Sequence, residues 1–521
     1  MSDRLDSWKG IAAYLGRDVR TLQRWALTRG LPVHRLPGGG VKPRVFALES
    51  ELDAWMRAGT RRPPDRPVSI AVLPFANLAG DAGGQRFGDG LAEDLIDALV
   101  RVPHLRVTAR TSSFAFSRRG QDVREIGARL GAAWLVEGSV RRDGPRVRVS
   151  AQLVDAKSGF HAWSRSYDRQ VTDAFAIQDE IARSIALALE LELAQEAPAR
   201  RPTGDIAAYD LWLKGRTTSQ EYSLQAFADG RRCYEEAIER DPQFARPHFG
   251  LAELLFHAIE LGLTTTREDV ERARGAMARA LELDDRSADA HALSGVFRGL
   301  FDYDWPGAEA EFRRALELSP GSANILMQHA WLHLVPRRLI SQALDEAEQA
   351  AALDPFSPLV LGRFGLVLLA ARQYPRAVEE CGAAVRLAPG LWWLRWFYGA
   401  ALIMQGRVAQ GLKEAEKVYA QIRRPMVIGA MALVCGLSPR TRPRARELLR
   451  ELEEAVGTAY VPPLAFAYAY IGAGDDRCFE WLGKAIDARD PAVTHLPSMP
   501  MYDGIRADPR FEALLARMNL G

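Results

Sequence analysis

The sequence predicts a multidomain chain of α and α/β parts: an amino-terminal helix-turn-helix with a β-hairpin wing, a central α/β domain and a carboxy-terminal all-α solenoid. Three observations carry this expectation. Apolar residues at helical spacing bracket Gly16 in a stretch of local basic excess. A β-α-β-α alternation, followed by strands separated by turn signals, begins behind a proline cluster. From Ala207 onward, a small-large-small pattern returns with a period near 34 residues.

In the first stretch, Trp8, Ile11, Ala12 and Leu15 recur at helical spacing. Gly16 tolerates the positive φ of a break, and Asp18 can cap the helix that follows. Val19, Leu22, Trp25 and Ala26 make the apolar stripe of this second helix, while Arg17, Arg20, Thr21, Arg24 and Thr28 fall on its other side. From Arg17 to Arg44, seven Lys or Arg stand against one acid, Asp18, although the whole chain is only +2. Such a local excess is what phosphate binding requires. Residues 31–36, the Gly38-Gly39-Gly40 turn and residues 44–47 read as a hairpin wing carrying Arg35, Lys42 and Arg44. Ser50 then caps a third helix over 51–57, with Leu52, Trp55 and Met56 inward.

The phrase IAAYLGRDVRTLQRW, in this order of elements, resembles the winged helix-turn-helix domains of the MerR and excisionase type. The resemblance implies that the second helix enters the major groove of double-stranded DNA, with Arg17, Arg20, Thr21, Gln23 and Arg24 at the contact. It also implies that the wing meets the adjacent backbone through Arg35, Lys42 and Arg44. A solvated basic helix on a small protein-docking module is the alternative reading of the same residues. One such motif reads few base pairs, so a homodimer is expected.

Length sets three or four domains as the expectation for 521 residues, and 48% hydrophobic with 26% charged residues leaves no room for a long disordered tail. The four cysteines form no C-x-x-C pair and have no histidine at metal spacing, which fits reduced core residues. The amino terminus lacks the apolar core of a signal peptide, and apolar runs are too short for a membrane span. A cytoplasmic chain without membrane contact is expected.

The domain expected over 1–60 ends at a stiff linker, 61–67, where three prolines fix φ and remove donors. Over 68–197, a buried-type strand at 69–75, a helix at 90–100, a strand at 105–109 and a helix at 123–130 come first. A hairpin of 133–140 with 146–154, an edge strand near 163–167 and a long helix at 175–193 complete the domain. The phrases SIAVLPFANLAGD, FGDGLAEDLIDAL, LRVTARTSSFAF, EGSVRRDGPRVRVSAQLVDAKSG and IQDEIARSIA together resemble the TolB-like amino-terminal domain. In bacterial proteins that domain often sits between a DNA-binding or adenylate cyclase domain and tetratricopeptide repeats. The resemblance therefore implies an architecture related to cyclase-associated repeat proteins, here with the helix-turn-helix in the place of the cyclase domain. Gly88-Asp89-Gly90 reads as a turn plus cap ahead of a helix, since it lacks the Lys of a phosphate-binding loop.

Over 204–521 the pattern appears as Gly230, Tyr234, Ala237, Pro242; Ala308, Phe312, Ala315, Pro320; Ala343, Ala347, Ala350, Pro355; and Ala377, Cys381, Ala384, Pro389. Ala273, Met277, Ala280 and Asp285 form a diverged copy. Its last positions fall 43, 35, 35 and 34 residues apart, the period of tetratricopeptide repeats after one insertion. Small residues let the two helices of a hairpin approach, the large one fills the gap, and proline stops the second helix. About eight helix pairs and a capping helix at Leu514-Leu515 are expected. In such repeats the first helix of each pair lines a groove, so Trp331, Leu366, Trp393, Trp396 and Met404 are expected to face a protein or peptide partner. Filling the interior or packing on the carboxy-terminal segment is the other use of the same residues.

No G-x-x-x-x-G-K-[ST], H-E-x-x-H or G-x-S-x-G motif occurs, so no enzymatic activity and no cofactor are expected. His329 and His333 stand at i,i+4, yet no acid lies between them and no third ligand is evident along the sequence, so no metal site is expected. Two function classes remain. One is a transcription regulator whose solenoid senses a partner; the other is a non-catalytic scaffold of the cyclase-associated kind, whose amino-terminal module docks protein.

Overall fold

The computed structural model describes residues 4–15, 19, 22, 26, 31–35, 45–52, 67–102, 104–116, 121–143, 146–170, 174–189, 203–219, 224–260, 267–456 and 460–521. The chain divides into two compact units, Met1–Pro67 and Val68–Gly521.

In the first unit, β1 (Arg4–Asp6), α1 (Trp8–Leu15), β2 (His34–Arg35) and β3 (Val45–Leu48) build a three-stranded antiparallel sheet in the order β1-β3-β2 with one helix against it. Arg4 pairs with Leu48, and Arg35 pairs with Val45. Ile11 and Leu22, from the two expected helices, share a buried cluster with Leu31, Ala47 and Leu52. The apolar stripe thus closes a small core because its period matches the helical turn.

The second unit opens with a six-stranded mixed sheet. Its elements are β4 (Val68–Val72), β5 (Ala76–Asn77), α2 (Ala82–Val100), β6 (Leu105–Val107), α3 (Arg110–Phe114), α4 (Val123–Leu130), β7 (Trp134–Asp143), β8 (Arg146–Asp155), β9 (His161–Gln170) and α5 (Ala174–Ala188). Strand order is β6-β4-β7-β8-β9, with β4 parallel to both β6 and β7, and β8 antiparallel to its two neighbours. Alternation along β4 sends Ile70 and Val72 to the face covered by α2 and α5, and Ala71 to the face where Ile126 and Leu130 of α4 pack.

The helix read as starting at residue 90 starts at Ala82, because the Asp81 carboxylate caps it by accepting from Gly84 N at 2.6 Å. Gly88-Asp89-Gly90 is therefore interior to α2, neither turn nor cap. Its glycines are needed for close approach: a Cβ on Gly88 would lie 3.0 Å from the Phe75 carbonyl oxygen, and one on Gly90 would lie 2.5 Å from the Leu213 side chain.

The described helices from 206 onward form eight consecutive pairs. They are α6 (Ile206–Ser219) with α7 (Leu224–Arg240), α8 (Ala245–Glu260) with α9 (Arg267–Leu283), α10 (Ala288–Phe297) with α11 (Trp305–Leu318), and α12 (Ala323–Gln328) with α13 (Ile340–Leu353). There follow α14 (Pro358–Ala370) with α15 (Tyr374–Leu387), α16 (Trp392–Met404) with α17 (Val408–Gln421), α18 (Pro425–Gly436) with α19 (Arg442–Ala455), and α20 (Pro463–Ala473) with α21 (Cys478–Asp487). π-helical turns, Arg298–Asp302 and His329–Leu334, extend α10 and α12. The repeat residues sit where the pattern puts them. Ala308, Phe312, Ala315, Ala343, Ala347, Ala350, Ala377 and Ala384 are fully buried on the second helices. The large residue fills a gap left by a facing glycine: a Cβ on Gly250 would come within 2.7 Å of the Tyr234 ring, and one on Gly295 within 2.9 Å of the Phe312 ring. All four cysteines are buried and unpaired.

Although the sequence separates 68–197 from 204–521, the mixed sheet and the solenoid belong to one unit. Asp94 of α2 accepts from Arg246 Nη1 at 2.5 Å and from Gln178 Nε2 at 2.6 Å. At the far end of the same seam, Ser112 donates through N and Oγ to Asp354 at 2.9 and 2.6 Å, and Ala109 N donates to the Leu353 carbonyl. No described helix is long and apolar enough to cross a membrane.

Candidate functional site

The solenoid curves enough to bring first helices three pairs apart into contact. Arg363 of α14, almost wholly buried, donates to both carboxylate oxygens of Glu260 of α8 at 2.8 Å. Burial works against the Glu260 charge, but the Arg363 guanidinium and His257 outweigh it and hold the carboxyl at about 2. This pair marks the inner face of the array.

The carboxy-terminal segment lies on that face. After α21, two 3₁₀ turns, Pro491–His495 and Pro500–Ile505, lead into α22 (Pro509–Ala516). The His495 ring stacks on Trp331 with centroids 4.0 Å apart, and His495 Nε2 meets the Trp331 carbonyl at 3.1 Å. Ser498 Oγ donates to the Val335 carbonyl at 2.5 Å, and Arg372 pairs with Asp503 at 2.8 Å. Farther along, Trp305 Nε1 donates to the Met518 carbonyl at 2.8 Å, and Asn519 Nδ2 donates to that of Tyr303 at 3.0 Å. The end of the chain thus closes on the third, fourth and fifth helix pairs.

This placement corrects the expected open groove. Trp331 is only 7% exposed and covered by His495; Leu366 is buried; Trp393 and Trp396 are 9% and 8% exposed within aromatic packing around Phe397; Met404 is half-buried. Apolar side chains at helical spacing announce burial, and the partner that buries Trp331 comes from the same chain. The indole Nε1 atoms of Trp393 and Trp396 are buried and find no acceptor among the described residues.

For the amino-terminal module, Arg17, Arg20, Thr21, Gln23, Arg24, Lys42 and Arg44 lie outside the described residues. Arg35 closes β2 opposite Val45, so the backbone of the expected wing is paired on both sides of the Gly38-Gly39-Gly40 stretch. One group was missed by reading along the chain. Glu309 of α11 stands beside His329 and His333, and the nearest ligand-type atoms of the three lie within 4.8 Å of one another. The third ligand that the sequence lacks locally, an acid, is supplied from twenty residues upstream by the helix pairing.

His495 gives this face a pH dependence. Burial pushes its imidazole down to about 4 from 6.5, against the Trp331 carbonyl and Glu260, which favour the charged ring, and with Arg363, which opposes it. The folded chain therefore keeps the ring neutral where the unfolded chain takes up a proton, so this contribution to stability is lost as pH falls from about 6.5 towards 4. In urea unfolding, the His495→Gln chain is expected to lose about 2 kcal/mol less than the wild type between about pH 7.5 and about pH 5. Equal losses in the two chains would show that the ring is accessible to protons in the folded state.

Fold and inner face together define a tetratricopeptide-like helical array behind a mixed β-sheet region. No protein-family model matches the chain. The chain is similar to "Putative adenylate cyclase 3" of Rhizobium meliloti (strain 1021), 37% identical over 235 residues that are 44% of this chain and 40% of that protein. The chain thus spans less than half of that relative, a distant homology over part of each. Among solved structures it is similar to YrrB, a TPR protein with an unusual peptide-binding site, at 22% identity over 37% of this chain and 94% of that one, with a TM-score of 0.25. It is also similar to pilF of Pseudomonas aeruginosa, at 20% identity over 42% and 94%, TM-score 0.30. Human IFIT1 with m7Gppp-AAAA gives 12% identity over 60% and 77%, TM-score 0.39.

Proposed function

We propose that this chain is a DNA-binding transcription regulator in which a winged helix-turn-helix is joined to a TolB-like module and a tetratricopeptide solenoid that takes a protein or peptide partner. The observation that carries the reading is the basic run from Arg17 to Arg44, seven cations against one acid, in a compact unit of its own. Two strands flank the wing segment of that unit, and Ile11, Leu22 and Leu52 fill its core. The reading assigns the chain no catalytic step. It rests on a homodimer for specificity, since one small module reads few base pairs.

Binding of the full chain to duplex DNA, titrated with salt, tests it. A phosphate-binding module gives log affinity falling linearly with log salt, at about −0.9 for each phosphate neutralised. Changing Arg20→Ala and Arg24→Ala together is expected to weaken specific binding at least tenfold, because each bidentate base contact contributes about 1–3 kcal/mol. Unchanged affinity in that double variant sinks the placement of the second helix. A weak response that salt does not change favours a signalling scaffold, the reading supported by the relative named as a cyclase.

A further inference from the structure

The geometry points to a divalent transition-metal site of the zinc class formed by Glu309, His329 and His333, with Glu346 orienting one of the histidines. His329 Nδ1 lies 2.7 Å from Glu346 Oε2. An ionised carboxylate only accepts, so Nδ1 carries the ring proton and Nε2 is left with a bare lone pair. That Nε2 is buried, has no hydrogen-bond partner among the described residues, and points at Glu309 Oε2 4.0 Å away.

The second ring repeats the shortage of donors. His333 Nε2 is 2.9 Å from Glu309 Oε2 and 2.8 Å from Arg337 Nη1, which itself donates to Glu309 at 2.9 Å. A guanidinium has no lone pair, so beside Arg337 this Nε2 accepts and its proton sits on Nδ1, which is buried without a partner. Three lone-pair atoms, Glu309 Oε2 and the two Nε2 atoms, then face one another, and none of the three brings a proton of its own to the group. Such a set calls for a cation, and Arg337 meets only part of it because it does not reach His329.

The backbone supports the same conclusion. His329–Leu334 is π-helical, a form that costs hydrogen-bond geometry and recurs at functional sites. Here it stacks the two imidazoles with centroids 5.2 Å apart and planes 16° from parallel, so both rings approach Glu309 edge-on. Two imidazoles and one carboxylate suit zinc, whose bonds to such ligands are about 2.0–2.2 Å and which completes a tetrahedron with water. Glu346 on the far nitrogen of His329 is the outer carboxylate that such histidines ordinarily carry. Arg337, whose side chain is a third exposed, must give up Glu309 Oε2 and His333 Nε2 as the ion enters. The ion would tie α11 to the π turn, fixing the third and fourth helix pairs where the end of the chain docks.

The test is equilibrium dialysis of the full chain against Zn²⁺ alone, with metal counted by mass spectrometry. One zinc per chain is expected in the wild type, and none at this site in the His329→Ala, His333→Ala double variant. His291→Ala, which removes a histidine paired with Glu311 elsewhere, should leave the count unchanged. Glu346→Gln should weaken binding by about 10–100-fold, and Arg337→Gln should tighten it, since a competing cation is gone. A wild-type chain that retains no zinc overturns the assignment, as does a double variant that retains as much as the wild type. Should the double variant lose its helical circular dichroism, unchanged affinity in both Glu346→Gln and Arg337→Gln overturns the assignment equally.

Discussion

A chain ending at Ala488 is expected to melt well below the full chain and to bind a hydrophobic dye at temperatures where the full chain does not. Removing the rest deletes Val493, Leu496, Phe511, Leu514, Leu515 and Met518, all buried, and uncovers Trp331. Each large apolar side chain contributes about 1.5–3 kcal/mol by burial, so six of them rival the roughly 5–15 kcal/mol by which a whole domain is stable. The polar contacts would not soften the loss. The carbonyl of Trp331 and the indole N–H of Trp305 take their partners from the deleted segment, and the Val335 carbonyl loses Ser498 while keeping Arg338 N. Left without partners in an apolar surface, such groups cost about 1–3 kcal/mol each unless water reaches them. Phe511→Ala tests the same claim in milder form, with an expected loss of about 3–5 kcal/mol. A truncated chain that melts like the full one and leaves the dye dark would make the segment a removable flap rather than part of the core.

The segment also explains what a linear reading of the chain recovers. Periodicity at 34 residues placed the second helices, because a small residue must recur wherever two helices meet, and Ala308, Ala343 and Ala377 are all buried at those meetings. Alternation placed β7 and β8, paired without a break from Trp134 and Asp155 to Asp143 and Arg146, because one face of a half-buried strand writes itself into every second residue. By contrast, Trp331 shows in its spacing that it is buried but not that His495 buries it. Glu309 carries no local mark that sets it beside His329. Gly88 and Gly90 look like a turn until the Phe75 carbonyl and Leu213 are known to press on them. Contacts between residues far apart in the chain have no period, so they leave no trace in a window of sequence.

Asp94 is where the mixed sheet and the solenoid hold each other, and Asp94→Ala is expected to cost about 3–5 kcal/mol and to lower the melting of both parts together. The carboxylate is buried on α2. It accepts from Gln178 of α5 on its own side of the seam, and from Arg246 on the solenoid side, with the Tyr209 hydroxyl 3.5 Å away. Arg246 also lies over the Trp212 ring at 5.0 Å with Arg216 on the same ring, so Asp94→Ala removes the carboxylate that most favours its charge, Asp97 contributing less. Next to it Glu93 pairs with Arg110 and Arg216, which makes the seam a line of alternating charges rather than one bridge. The charge is separable from the shape. Asp94→Asn keeps the volume and an acceptor for Gln178, so it should fall between wild type and Asp94→Ala in urea unfolding. Replacing both members, Asp94→Leu with Arg246→Met, removes the cation as well, and buried pairs exchanged for apolar groups of like size are often neutral or better. Recovery in that double variant would assign the loss in Asp94→Ala to the broken charge pair. If Asp94→Ala instead leaves one sharp transition at the wild-type position, the two regions are held by their apolar seam alone, through Leu213 against Gly90 and Val100 against Gly321.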